Sequence, residues 1–120
     1  ETEEDHRATC ALVERLPFTH LHVFPYSPRP GTAATRLPDP VPAEVARRRA
    51  AELRALGARR AAAAAARRAG GTADVVVVGG AEARTGLTED YLSVALADPT
   101  WARRNRRRAR LEPGPGGGLR

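Results

Sequence analysis

The residues best placed to do chemistry gather in one short run, His22-Val23-Phe24-Pro25-Tyr26-Ser27-Pro28-Arg29-Pro30-Gly31-Thr32-Ala33. An apolar stretch gives way there to hydroxyls, a guanidinium and a glycine. A strand that feeds a site at its C-terminal end often finishes this way. The planar fork of Arg29 suits phosphate oxygens, and Tyr26, Ser27 and Thr32 place loop hydroxyls beside it. Tyr26 and Thr32 could equally do no more than tie the loop down by hydrogen bonds. A second group is the cluster Arg103, Arg104, Arg106, Arg107, Arg108 and Arg110. It suggests a polyanionic partner, nucleic acid first; the alternative is a solvated arginine face. His6 and Cys10 lie one helical turn apart, a metal-ligand spacing. Two donors of a four-ligand site argue weakly, so core packing is the preferred account and no metal ligand is assigned. His20 and His22 share a strand face and could reach the loop, although a surface position suits His20 better.

Composition limits what can surround these groups. The 120 residues allow one domain or two small ones. All 20 basic residues are arginine, a bias that goes with the many alanines and reflects base composition more than selected chemistry. The net charge of +6 is uneven, with acids at Glu1 to Asp5 and arginines crowding the C-terminal third. One cysteine excludes an internal disulfide framework and fits a reducing cytoplasm. No apolar run is long enough for a membrane helix, and no leader pattern is present. The absence of Met and the opening at Glu1 read as an internal fragment.

The elements that must carry the groups follow from local signals. Thr2 is a good N-cap, Glu3, Glu4 and Asp5 suit the positive end of a helix dipole, and Pro17 stops the helix. His6, Cys10, Val13 and Leu16 form its apolar face. Leu21 to Phe24 then read as a short strand buried on both faces, making one helix–strand step of a repeated β/α architecture. Five prolines between Ser27 and Pro42 keep the next segment irregular. A helix follows from Pro42 to Arg68, with Val45, Ala46, Ala50, Leu53 and Leu56 as a narrow apolar stripe. Ala61 to Ala66 add helix propensity but little to bury, and Gly70-Gly71 ends the helix. Asp74 to Val78, ended by Gly79-Gly80, and Tyr91 to Leu96 read as strands. Trp101 to Leu111 reads as a further strand or a charged turn, and residues 113–118 as a flexible loop. Two or three strands cannot close a barrel, so the β-part reads as cut short.

The wording of these segments resembles the radical S-adenosylmethionine (SAM) methylthiotransferases. Glu1-Thr2-Glu3-Glu4-Asp5 resembles the start of their barrel-closing helix. Leu21 to Ser27 resembles the last barrel strand, and Arg29-Pro30-Gly31-Thr32-Ala33 the loop after it. Gly86, Thr88, Tyr91 and Val94 fit the Gly-x-Thr-x-x-Tyr-x-x-Val pattern of the family's TRAM module. The similarity runs from residue 1 to about 97 in order, and His22 to Ser27 looks most like the branch acting on N6-threonylcarbamoyladenosine. Three departures stand out. His6 replaces a usual aromatic, Asp90 replaces a usual asparagine, and the glutamate often found after the first module strand is absent.

The resemblance implies a fold, an activity and a set of roles. The fold would be the α/β end of a radical SAM partial TIM-type barrel, its last helix–strand unit plus a long helix, over residues 1–68. A truncated small all-β TRAM (OB-like) barrel would occupy 69–120. The parent enzyme would be a cytoplasmic transferase adding a methylthio group to C2 of N6-threonylcarbamoyladenosine next to the tRNA anticodon. The alternatives are the isopentenyladenosine or ribosomal-protein branch, or a stand-alone RNA-binding module. Implied cofactors are SAM and two 4Fe–4S clusters, but clusters need several thiolates and Cys10 is alone. The chain by itself should therefore be inactive, with no catalytic residue assigned. Phe24, Pro25 and Tyr26 would pack the SAM adenine, Phe24 being alternatively plain core. Ser27, Arg29 and Thr32 would meet the nucleoside or its phosphates. Tyr91, Arg106, Arg107 and Arg108 would meet the anticodon stem-loop of tRNA, although barrel core is the preferred reading of Tyr91.

Overall fold

Thr2 begins the first helix by a reciprocal cap. Its hydroxyl accepts from the Asp5 N–H at 3.1 Å, and the Asp5 carboxylate accepts from the Thr2 N–H at 2.8 Å. Helix α1 (Glu3–Arg15) follows and ends one residue before the Leu16–Pro17 step, where proline can no longer donate to the ladder. The computed structural model describes residues 1–78, 84–98 and 100–120. The chain divides into two compact units, Glu1–Ala58 and Arg59–Arg120. The dividing point falls inside helix α2 (Ala43–Arg68), because Ala64 and Ala65 are built into the second core rather than the first.

In the first unit, α1 packs on the start of α2. His6 and Val13 are buried on α1, and Ala50 and Leu56 on α2. Arg49, 7% exposed, ties the two helices through Glu1 Oε2 at 2.7 Å and Glu3 Oε2 at 3.1 Å. Such a pair is costly to break from one side, since the other charge is left without a partner in a partly dry site. Between the helices the chain is irregular except for a short 3-10 turn at Ala33–Arg36.

Here the structure corrects the sequence reading. Leu21 to Phe24 form no strand: no described residue pairs with them, and Phe24 is 82% exposed. A β-strand exists only with a hydrogen-bonded neighbour, and nothing in the first unit offers an edge. The segment is held instead by Leu21 against Gly57, where an added Cβ would come within 3.2 Å, and by Arg54 donating to the Val23 carbonyl at 3.4 Å.

The second unit is an antiparallel sheet packed on the end of α2. Its strands are β1 (Thr72–Val77), β2 (Thr85–Thr88), β3 (Ser93–Ala95) and β4 (Arg106–Arg110), in the order β3-β2-β1-β4. Strand β2 has no clear signal in the sequence, and β4 resolves the strand-or-turn alternative in favour of a strand. Gly70, at φ 84°, turns the chain out of α2, and its N–H donates to the Leu111 carbonyl at 2.8 Å. Ala73 and Val75 on β1, Leu92, Val94, Leu111 and Leu119 form the core with Ala64 and Ala65. Two of the six alanines expected to bury little, Ala64 and Ala65, are therefore core residues, their small size letting helix and sheet approach closely.

Residues 112–120 return to the sheet. Glu112 and Arg120 exchange backbone hydrogen bonds at 2.8 and 2.9 Å, and the Ala95 N–H donates to the Leu119 carbonyl at 2.9 Å. The continuation of β4 is thus linked to β3 through Leu119, which is 3% exposed. The expected loop at 113–118 is a turn inside this return, with Gly116 and Gly117 at positive φ. The glycine pair expected to end the first sheet strand, Gly79-Gly80, lies outside the described residues.

Candidate nucleic-acid interface

Strand period decides which arginines of β4 face outward. In the β1–β4 register Ala109 stands opposite Ala73 and Arg107 opposite Val75, whose side chains face the core. Arg106, Arg108 and Arg110 occupy the alternate, outer positions opposite Val76, Asp74 and Thr72. The Arg106–Arg107–Arg108 run therefore splits between two faces. Arg107, at the rim of the inner face, lies with its guanidinium 5.5 Å from the centroid of the Trp101 ring. Trp101 is itself oriented by its indole N–H donating to Asp98 Oδ2 at 3.0 Å.

On the outer face the charges are unequally compensated. Arg106 is paired with the Asp74 carboxylate, and this hydrogen bond is the main reason the Asp74 pKa is lowered and the Arg106 pKa raised. Arg108 reaches the Thr72 hydroxyl at 3.4 Å. Among the described residues no ion pair is made by Arg108 or Arg110, and both are exposed. Two guanidinium groups on alternate positions of one strand make a row that can follow a phosphate backbone.

The Gly86-x-Thr88-x-x-Tyr91-x-x-Val94 spacing has a physical account at each position. Gly86 lies against Val75, where any Cβ would collide with Val75 Cγ1. Thr88, 4% exposed, spans the β2–β3 turn: its hydroxyl donates to Asp90 Oδ1 at 2.6 Å and accepts from the Leu92 N–H at 2.9 Å. Tyr91 sits in the turn at φ 62° and is 73% exposed, and Val94 is core. The preferred reading of Tyr91 as core is thus corrected. The left-handed turn conformation, unusual for a bulky residue, swings its ring into solvent, where a base could stack on it.

Arg68 anchors this turn, with Nη2 2.9 Å from Glu89 Oε1 and Nε 3.0 Å from Asp90 Oδ2. Burial pulls the Asp90 pKa up, but the Thr88 hydroxyl, the turn backbone and Arg68 together leave it lowered. Glu89 also accepts from the Asp74 N–H at 3.0 Å. Asp74 therefore links the turn carrying Tyr91, through its backbone, to β4, through its carboxylate. Sequence spacing gives no hint of Arg68, Asp74 or Glu89 in these roles, because each partner lies 15 to 32 residues away.

The loop residues lie in the first unit. Phe24, Tyr26, Ser27, Arg29 and Thr32 are all exposed, as is Pro25. Thr32 donates to the Arg29 carbonyl at 2.9 Å, and Thr35 to the Thr32 carbonyl at 2.7 Å. Thr32 thus has a loop-tying bond, made possible by Gly31 at φ 81°. His22 stacks on Phe24 with centroids 6.3 Å apart and meets His20 edge-on at 4.5 Å, a short ladder of rings along one side.

These observations define a chain of two helices and a four-stranded antiparallel sheet with a cationic outer face. No family model matches it. It is 38% identical to a threonylcarbamoyladenosine tRNA methylthiotransferase of Treponema pallidum over 82% of the chain and 20% of that protein. Over 49% of the chain it is 48% identical to a tRNA-2-methylthio-N(6)-dimethylallyladenosine synthase of Corynebacterium urealyticum, covering 11% of it. Over 41% it is 55% identical to a ribosomal-protein methylthiotransferase of Syntrophobacter fumaroxidans, again covering 11%. These relatives are methylthiotransferases, and the chain spans about a fifth or less of their length.

Proposed function

We propose that this chain is a C-terminal part of a cytoplasmic tRNA methylthiotransferase, the one that thiomethylates C2 of N6-threonylcarbamoyladenosine beside the anticodon. In this proposal residues 1–68 end the radical SAM barrel, and 69–120 form its TRAM-type module, which holds the anticodon stem-loop. The observation that carries it is the extent of the match: the threonylcarbamoyladenosine relative spans 82% of the chain. The exposed arginines of β4 and the outward Tyr91 supply phosphate and stacking contacts suited to RNA. The higher identities of the dimethylallyladenosine and ribosomal-protein relatives, over shorter stretches, favour a second reading in which the substrate belongs to one of those branches.

The donor set of this chain does not fit an iron–sulfur cluster. Its one cysteine has its Sγ beside His6 Nε2 at 3.6 Å, and a cluster takes several thiolates. No step through a cluster is derived, and the chain alone is expected to be inactive. Phe24 and Tyr26 are exposed aromatic side chains flanking Pro25, and in this proposal they would pack the adenine of SAM, which would supply the radical precursor in the parent enzyme. Ser27, Arg29 and Thr32 then face the nucleoside, with Arg29 holding a phosphate.

Two measurements test this. Nucleoside mass spectrometry of tRNA from cells lacking the gene should show loss of 2-methylthio-N6-threonylcarbamoyladenosine. Loss of the dimethylallyl derivative instead would move the chain to the other tRNA branch. Replacing Arg106, Arg107 and Arg108 by Gln should weaken tRNA binding by the chain and flatten its salt dependence. The slope should fall by about 0.7–0.9 log units per log unit of salt for each phosphate no longer neutralised. Unchanged binding would remove these three arginines from the interface.

A further inference from the structure

His6 and Cys10 share a face of α1, and the fold adds a third donor that sequence spacing could not place, Glu52 on α2. His6 Nε2 lies 2.9 Å from Glu52 Oε2 and 3.6 Å from Cys10 Sγ, and the three donor atoms lie within 4.8 Å of one another. Zinc bonds to nitrogen, oxygen and sulfur run about 2.0–2.3 Å, so the edges of a tetrahedral site come to roughly 3.3–3.8 Å. The His6–Cys10 edge has that length already. Glu52, at 55% side-chain exposure, is free to adjust the other two. We propose that His6, Cys10 and Glu52 form a binding site for a divalent transition-metal ion of the Zn²⁺ type, with a fourth position open to water or an external ligand.

The donor chemistry selects the class of ion. One imidazole, one thiolate and one carboxylate suit a borderline ion, not the hard, all-oxygen preference of Mg²⁺ or Ca²⁺. His6 is 2% exposed, so packing fixes its ring with Nε2 toward both partners before any ion arrives. Burial first, and then Glu52, Glu14, Glu1 and Glu3, push the Cys10 thiol up, and a bound cation would offset the negative charge those carboxylates place around the sulfur. Arg48, 4.0 Å from Glu52, and Arg49 oppose this, but both are engaged by Glu3. The bound ion would clip residues of two helices that lie 46 positions apart, so its binding is also a stabilisation of their packing.

The test is a Zn²⁺ titration of the reduced 120-residue chain by calorimetry, with Co²⁺ as a spectroscopic probe. One ion per chain is expected, with a raised melting temperature and, for Co²⁺, tetrahedral visible bands and a thiolate charge-transfer band. Cys10→Ser should abolish the charge-transfer band. Glu52→Gln, at an exposed position that does not endanger folding, should weaken Zn²⁺ binding roughly tenfold or more. A His20→Ala/His22→Ala variant should bind as the parent does. Absence of stoichiometric binding by the folded chain would overturn the proposal. So would binding that survives both Cys10→Ser and Glu52→Gln, or that disappears with the His20/His22 pair.

Discussion

Replacing Gly86 by alanine should destabilise the sheet unit through overlap alone. Gly86 pairs with Val77 on one side and Val94 on the other, in the middle of the β3-β2-β1 array. An added Cβ would collide with Val75 Cγ1 and approach Leu96 Cδ2 to 3.1 Å. Val75 has no exposed surface, so its methyl cannot swing into solvent. Overpacking of this kind costs about 1–3 kcal/mol. Removing glycine's freedom from the unfolded chain returns about 0.4–1 kcal/mol, and no positive φ has to be sacrificed at this position. The net expectation is a loss of roughly 1–2 kcal/mol, or about 5–15 °C in melting temperature for a unit of some sixty residues. Val75→Ala alone should cost about 1.5–3 kcal/mol by lost burial. In the double variant the new methyl occupies the vacated space, so the loss should fall short of the sum by about 1–2 kcal/mol. Urea and thermal unfolding followed by circular dichroism measure all four corners of the cycle. A Gly86→Ala variant within about 0.5 kcal/mol of the parent, or strict additivity, would refute the close-approach account of this glycine.

Three further outcomes follow from the same unit. Thr88→Val keeps shape but leaves the Leu92 N–H without its hydroxyl acceptor, and should cost about 1–3 kcal/mol in the same unfolding assay; a neutral result would remove the hydroxyl from the turn. Arg107→Gln should shift the emission of the single tryptophan, since the guanidinium lies over the Trp101 ring, whereas Arg108→Gln should leave the spectrum unchanged. Finally, Asp74 and Asp90 both have folded pKa values below the ordinary aspartate value. Their stabilisation is complete above the unfolded value near 4 and is lost as pH falls through the folded values. Melting temperature should therefore drop below about pH 4, and an Asp74→Asn/Asp90→Asn variant should show a flatter profile there; identical profiles would sink the assignment.

Local signals carry the parts of the fold that local physics decides. The Thr2–Asp5 cap, Pro17, the αL glycine at Gly70 and the β-branched run from Val75 each act within a turn or a strand length, and each appears where the sequence puts it. The failures share one cause, dependence on a partner far along the chain. Leu21 to Phe24 have strand composition but no edge to pair with. Thr85–Thr88 has only one large apolar residue, Leu87, yet is a strand because β1 and β3 flank it. Ala64 and Ala65 are buried because a sheet happens to lie over them.

The same division runs through the candidate sites, and it explains why a motif can name a family without displaying its chemistry. Gly86, Thr88, Tyr91 and Val94 look unrelated as letters. In the folded unit they answer four different demands of one β2–β3 connection: a close approach, a turn bridge, an outward ring and a core contact. Asp90 stands where the resemblance expects an asparagine, and Arg68 Nε, 3.0 Å from its Oδ2, offsets the added charge. His6 replaces an expected aromatic, and there the exchange is not neutral. A buried imidazole requires a polar partner, and the fold supplies Glu52 and Cys10 where a ring would have needed none. The departure from the family pattern and the three-donor cluster are therefore one observation, seen first in the sequence and then in the packing of α1 on α2.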